Sequence, residues 1–330
     1  MSAIWSVASA VSLGKTRLAA ECFVIMRIGL IDVDGHNFPN LALMKISAFC
    51  KKNGRNVEWY EPLLSGEQYD RVYMSKVFTF TSDYPYAINA KEIVQGGTGY
   101  GKYEDLPNEI EYTFPDYSIY PQYNFAVGFL TRGCIRKCPW CVVPMKEGYI
   151  HPVNTWQNIK RPDSRDIVFL DNNVLASEHG ISQMESMIGQ NVRIDFNQAM
   201  DARLVTPEIA EIISKLKWIK YIRFACDTSS MIPAIERTVN LLGKHGVKPY
   251  RIFVYTLIQD CDEALKRIYA MDALGVMPFA QPYRDFVNGY EPAQEQKRLA
   301  RWCNMKATHR TVKYEDYSNE GRKEWHKRND

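Results

Sequence analysis

The chain has 330 residues, 46% hydrophobic and 24% charged, enough apolar material for a sizeable core divided between two domains. Its formal net charge of +3 is too weak to specify a nucleic-acid partner from composition, and no apolar run approaches the roughly eighteen residues that span a bilayer. Five of the eight cysteines (Cys22, Cys50, Cys226, Cys261, Cys303) are scattered without disulfide-like spacing, the pattern of a reducing, cytoplasmic environment.

Residues 1–25 are small and apolar and carry no charged side chain before Lys15, so they lack the basic start of a secretory signal. We expect a disordered leader or a mis-called start, because RIGLIDV (27–33) reads as a buried first strand. An amphipathic helix follows in LALMKISAFCKKNG (41–54), then strands in NVEWYEP (56–62), DRVYMSKVF (70–78) and KEIVQGG (91–97). Strand–helix–strand alternation implies parallel pairing, so residues 26–106 are expected to form a doubly wound, flavodoxin-like α/β domain. Residues 107–122 hold three prolines and no helical period, and read as a linker.

A second domain is expected over 123–290. Its first strand lies in YNFAVGFLTRGC, and five more follow at 166–172, 191–197, 221–227, 250–257 and 276–282, with helical stretches such as 206–218 and 262–275 between them. Six βα units imply a curved parallel sheet, two units short of a full eight-stranded barrel. Chemistry in such folds sits at the carboxyl ends of the strands. Residues 291–330 are expected to be a helical tail with a charged end, solvated rather than bound to RNA.

The stretch TRGCIRKCPWCVVP (131–144) puts Cys134, Cys138 and Cys141 within eight positions, in the loop after the first strand of that second domain. Three cysteines can ligate three irons of a cubane and leave the fourth open. With His151 they could instead form a structural zinc site. The spacing Cys-x3-Cys-x2-Cys, with Trp140 before the last cysteine, resembles the cluster loop of the radical SAM superfamily. That resemblance spans 124–285 and implies a 4Fe-4S cluster with S-adenosylmethionine on the open iron. An electron from the cluster then breaks the sulfonium bond and yields a 5′-deoxyadenosyl radical.

On the same resemblance, Asp171 and Asn172 would meet the methionyl end of the cofactor, and Asn197, Gln198 and Arg203 its ribose and carboxylate. Asp227, Gln281, Tyr283 and Arg284, at later strand ends, are candidates for the substrate. A reductant such as flavodoxin or ferredoxin is the implied partner. A non-catalytic zinc or iron–sulfur module is the alternative of another class. Within the enzyme class, a methyl- or methylthio-transferase acting on RNA or protein is the alternative.

The first domain resembles the cobalamin-binding domain that precedes some radical SAM barrels. Fragments of its motif occur in order as Asp34 and His36, then Ser75, then Gly96 and Gly97. Pro39 stands where that motif needs a glycine for close approach of the corrin, so cobalamin is not expected.

Overall fold

The computed structural model describes residues 26–62, 66, 68–285 and 289–317. The expected leader (1–25) and the charged end of the tail (318–330) lie outside the described residues.

Strand β1 (Arg27–Asp32) carries the apolar run Ile28–Ile31 and is the most buried of its sheet. Helix α1 (Leu41–Lys52) starts where the Asn40 side chain accepts from the Leu43 N–H, and lays Leu43, Met44, Ile46 and Cys50 against Ile28 and Leu30. Strands β2 (Asn56–Trp59), β3 (Tyr69–Ser75) and β4 (Ala90–Gly96) complete a parallel sheet of order β2-β1-β3-β4.

The expected second helical layer is not found among the described residues. The chain passes from β3 to β4 through 76–89 with no helix, a segment rich in aromatics and without helical period. Tyr60, Tyr69, Val72 and Met74, with Tyr84 and Tyr100 against them, cover that face instead. Aromatic rings supply the apolar area that a helix would have brought.

Residues 107–122 connect the two halves as a packed strap. They contain helix α2 (Asn108–Glu111), and Ile110, Ile119 and Tyr120 are buried in the α1 core. Lys45 pairs with Glu111 at 2.7 Å, Ser47 and Lys51 donate to Asp116, and the Tyr120 hydroxyl donates to Asp32 at 2.6 Å. Prolines removed the helical period from this stretch without removing its contacts.

The second half runs β5 (Ala126–Gly128), β6 (Thr131–Arg132), α3 (Val143–Lys146), β7 (His151–Pro152), α4 (Trp156–Ile159) and β8 (Asp166–Phe169). It continues with α5 (Glu178–Ser186), β9 (Arg193–Phe196), α6 (Pro207–Lys215), β10 (Ile222–Ala225), α7 (Ile232–Lys244), β11 (Ile252–Ile258), α8 (Cys261–Ala273) and β12 (Met277–Pro282). Two parallel three-stranded sheets, β5-β8-β9 and β10-β11-β12, are joined by the parallel bridges Ile194–Trp218 and Met200–Phe224. Six parallel strands therefore stand side by side in chain order, and the fold is α/β.

Alternate residues divide between two faces. Ile167, Phe169, Ile194, Phe196, Phe224 and Val254 pack with α5, α6 and α7 in one core. On the other face, Asp195 accepts two hydrogen bonds from Arg223, at 2.6 and 2.7 Å, across the seam where the ladder between β9 and β10 is broken.

The sheet ends at β12, and its edge is closed. Helix α9 (Gln294–Asn304) brings in the Asn304 amide, which donates to the Ala280 carbonyl and accepts from the Ala280 N–H, both at 2.9 Å. Strand backbone groups alternate in direction, so the neighbouring outward positions are 278 and 282, both proline and without a donor. An added seventh strand would find almost nothing to pair with. Helix α10 (Lys306–Thr311) follows α9 directly. Among the described residues no helix is long and apolar enough to cross a membrane.

Candidate functional site

The three clustered cysteines occupy an excursion tied at its base. β6 and β7 pair antiparallel through Thr131–Pro152 and Arg132–His151, closing residues 133–150 into one loop beyond the carboxyl end of β5. Asp171, 1% exposed, accepts from the Leu130 N–H (3.0 Å), the Thr131 N–H (2.6 Å) and the Thr131 hydroxyl (2.7 Å). Burial pushes its carboxyl up to about 6 despite these donors. Its oxygens thus hold the root of the loop.

Gly133 turns the chain at φ +81°, where a Cβ would lie 2.5 Å from the Tyr149 carbonyl oxygen. Only glycine fits there. Glu147 then accepts from the Gly133 N–H at 3.0 Å and from the Asn172 amide at 2.7 Å, and the Cys134 N–H donates to the Gly148 carbonyl. A turn from the Cys141 N–H to the Cys138 carbonyl (3.0 Å) sets the second and third cysteines, with Trp140 half-buried between them.

The Cys134 sulfur accepts from the Arg136 N–H at 3.3 Å and lies 3.5 Å from Asn173 Nδ2. Asn173 is 2% exposed, and its Oδ1 is buried without a partner. An amide that gives its N–H to a sulfur must aim its oxygen elsewhere. Here that oxygen is an acceptor awaiting a donor.

The next strand ends add charge. Asp201 is buried, and binds Arg203 through Nε (2.7 Å), Nη2 (3.0 Å) and the backbone N–H, and Arg136 Nε at 3.0 Å. Burial opposes its charge, yet Arg203 and Arg136 hold its carboxyl below the usual range. Burial also raises the Cys138 thiol, against the pull of Arg203, and raises Cys141. Asp227 is pushed up by burial and drawn back by Arg267, whose fully buried guanidinium donates to the Cys226 and Leu257 carbonyls.

The cysteines, Asn172, Asn173, Asp201, Arg203 and Asp227 therefore share one end of the sheet. Asn197 reaches that end too, its backbone pinned by the Phe169 carbonyl and by the Tyr255 hydroxyl. Gln198 is exposed in a turn with Ala199 at φ 75°. Gln281 is exposed, Tyr283 stacks on Tyr290, and Arg284 pairs with Glu291 and lies 4.0 Å from the Phe80 ring centroid. Of these three, Arg284 touches the β3–β4 connection through Phe80.

Among the described residues no three His, Cys, Asp or Glu side chains converge closely enough to hold one metal ion. His151 is exposed, with Nδ1 3.0 Å from the Tyr149 carbonyl. A cubane gives each thiolate its own iron and so spreads its ligands. The two N–H groups at Cys134 and the orphaned Asn173 oxygen suit a charged thiolate beside a ligand that donates.

The cobalamin-like fragments in the first half all have partners within the chain. Asp34 accepts from the Val77 and Phe78 N–H groups and from the Thr81 hydroxyl, so it staples the β3–β4 connection. Ser75 accepts from the Asn40 amide, and the His36 ring packs tilted against Trp59 with ring centroids 4.2 Å apart. Gly97, just past Gly96 at the end of β4, sits at φ +99°, where a Cβ would meet the Lys76 carbonyl oxygen at 2.4 Å. Its glycine is required by neighbouring backbone.

Sequence reasoning passed over Asn173, Arg136 and Asp201 as site residues. Asn173 is the buried member of the pair, while Asn172 is half-buried and gives its amide to Glu147. No protein-family model matches the chain, and no curated protein matches it either.

Proposed function

We propose that the protein is a radical SAM enzyme, with a 4Fe-4S cluster on Cys134, Cys138 and Cys141 and S-adenosylmethionine at the open iron. The observation that carries this reading is the Cys134 sulfur, set in a three-cysteine loop with N–H groups of Arg136 and Asn173 directed at it. Such donors favour the charged thiolate that an iron ligand must be. When bound, the cluster and S-adenosylmethionine would supply an electron and a cleavable sulfonium bond, giving a 5′-deoxyadenosyl radical for a substrate.

The chain's own residues bind and orient. Asn173 Oδ1, buried and unpartnered, offers an acceptor to the methionyl amino group, while Asn172 lends its amide N–H to Glu147. Asp171 acts one step back, by fixing the root of the loop. Arg203 and Arg136, bound to Asp201, place positive charge beside the thiolates, while Asn197, Gln198 and Trp140 border the same end. The strand order β2-β1-β3-β4 and six parallel strands in chain order support a flavodoxin-like domain followed by a six-unit partial barrel.

A small reductant such as flavodoxin or ferredoxin would meet the exposed side of the loop, where Cys141 lies. Retained cobalamin gains no support, since Asp34, Ser75 and Gly97 are committed within the chain. Nor does a second cluster: of the remaining described cysteines, Cys50, Cys226 and Cys303 are buried. The test is composition. Anaerobic reconstitution should give about four irons per chain, and Cys138→Ala should lose most of them. One zinc per chain, colourless and redox-silent, would refute the assignment.

A further inference from the structure

At the amino-terminal end of β11 and β12, opposite the cysteine loop, lies a cavity of about 350 Å³. Its floor is apolar, made by Phe253, Met277, Pro278 and Phe279. Among these, Phe253 packs at 5.3 Å on both Tyr221 and Phe279.

One edge of the cavity is cationic. Lys306, His309 and Arg310 line it from α10, and their spacing of three and four residues places them on one face of that helix. His309 is held by Asp272 at 3.0 Å and packs edge-on against Trp302. Lys306 donates to the Tyr221 hydroxyl at 2.9 Å. Arg310 has no acidic partner among the described residues. Among the described residues Asp272 is the one acid lining the cavity, so positive charge exceeds negative there.

We infer that this cavity is a second ligand site, one that takes a small aromatic monoanion, its ring on the phenylalanine floor and its carboxylate on Arg310 and Lys306. The volume is at the lower end of small-molecule sites, and few convergent polar groups over an apolar floor is how such sites choose ligands. Six residues of β12 separate the two ends of the strand, about 20 Å at the usual rise. The site is therefore independent of the cluster reading.

The test uses the full chain and 2-naphthoate as probe, with neutral 2-naphthol as its comparator, in calorimetric titration. Naphthoate should bind saturably with one site per chain, and naphthol at least about tenfold more weakly, the worth of one charge-assisted contact. Arg310→Glu, at an exposed position, should keep the melting temperature and weaken naphthoate about tenfold or more. Lys306→Gln should weaken it as well. Absence of saturable binding, equal affinity for the two probes, or full affinity in Arg310→Glu would each overturn the inference.

Discussion

Asn173 points its Nδ2 at the Cys134 sulfur, 3.5 Å away, and leaves its buried Oδ1 without a partner. One side chain thus touches a proposed cluster ligand and carries a buried acceptor that, on the proposed function, would meet the cofactor. Removing the amide should leave iron content near wild type, since no ligand is lost. It should lower the cluster's reduction potential, because an N–H directed at the sulfur stabilises the more negative, reduced state. Asn173→Ala should also weaken S-adenosylmethionine about tenfold, the cost of one polar contact. A redox titration followed by electron paramagnetic resonance checks the first effect and equilibrium binding the second. Unchanged values in iron-replete protein would remove Asn173 from the site.

Gly133 gives a purely steric prediction. At φ +81° with a carbonyl 2.5 Å from any Cβ, Gly133→Ala must shift the backbone that carries Cys134. Strain of this kind costs on the order of 1–3 kcal/mol. The loop can relax part of this strain by moving, so circular dichroism should show a melt lowered by a few degrees at most while iron incorporation drops severalfold. Full iron loading would mean that the loop's path is not set there.

The closed edge of β12 is open to test by stability. Asn304→Ala leaves the Ala280 N–H and carbonyl unpaired, at about 1–3 kcal/mol. Thermal melts should shift down by several degrees. Asn304→Asp retains an acceptor alone and should recover only part of the loss.

Asp32 predicts a dependence on pH. Burial pushes its carboxyl up to about 6 from an ordinary 3.8, against the Tyr120 hydrogen bond, which lowers it. Because the folded pKa is the higher one, the folded state holds the proton more tightly. Its contribution to stability is present below about pH 4 and is lost as pH rises through about 6. Asp32→Asn should therefore stabilise the protein above pH 7 by on the order of 1–3 kcal/mol and have almost no effect at pH 4. A gain of equal size at both pH values would contradict this cause.

The strands were legible because each is a short apolar run, and 27–33 or 250–257 needed only a residue or two of trimming. Two features were hidden. Tyrosines from irregular connections took the place of a helical layer over β3, and periodicity cannot report on a segment that has none. The strap at 107–122 looked like a linker because its prolines erase helical period, while Ile110, Ile119 and Tyr120 are buried through contacts made by Lys45, Ser47 and Asp32 far away in sequence.

In the site, the cysteine triplet was legible from spacing. Asp171 and Asn172 read as ligands because they end a strand, but their partners are Thr131 and Glu147. The turn after β8 decides which of two adjacent asparagines faces inward. The Arg136–Asp201–Arg203 group joins residues some 65 positions apart, beyond any local pattern.

The decisive experiment is release of 5′-deoxyadenosine by anaerobically reconstituted, iron-replete protein given S-adenosylmethionine and a strong reductant. We expect slow release without substrate, abolished by Cys138→Ala and reduced, with iron retained, by Arg203→Ala. No 5′-deoxyadenosine from protein that carries its full complement of iron would contradict the proposed function, whatever role the iron then had.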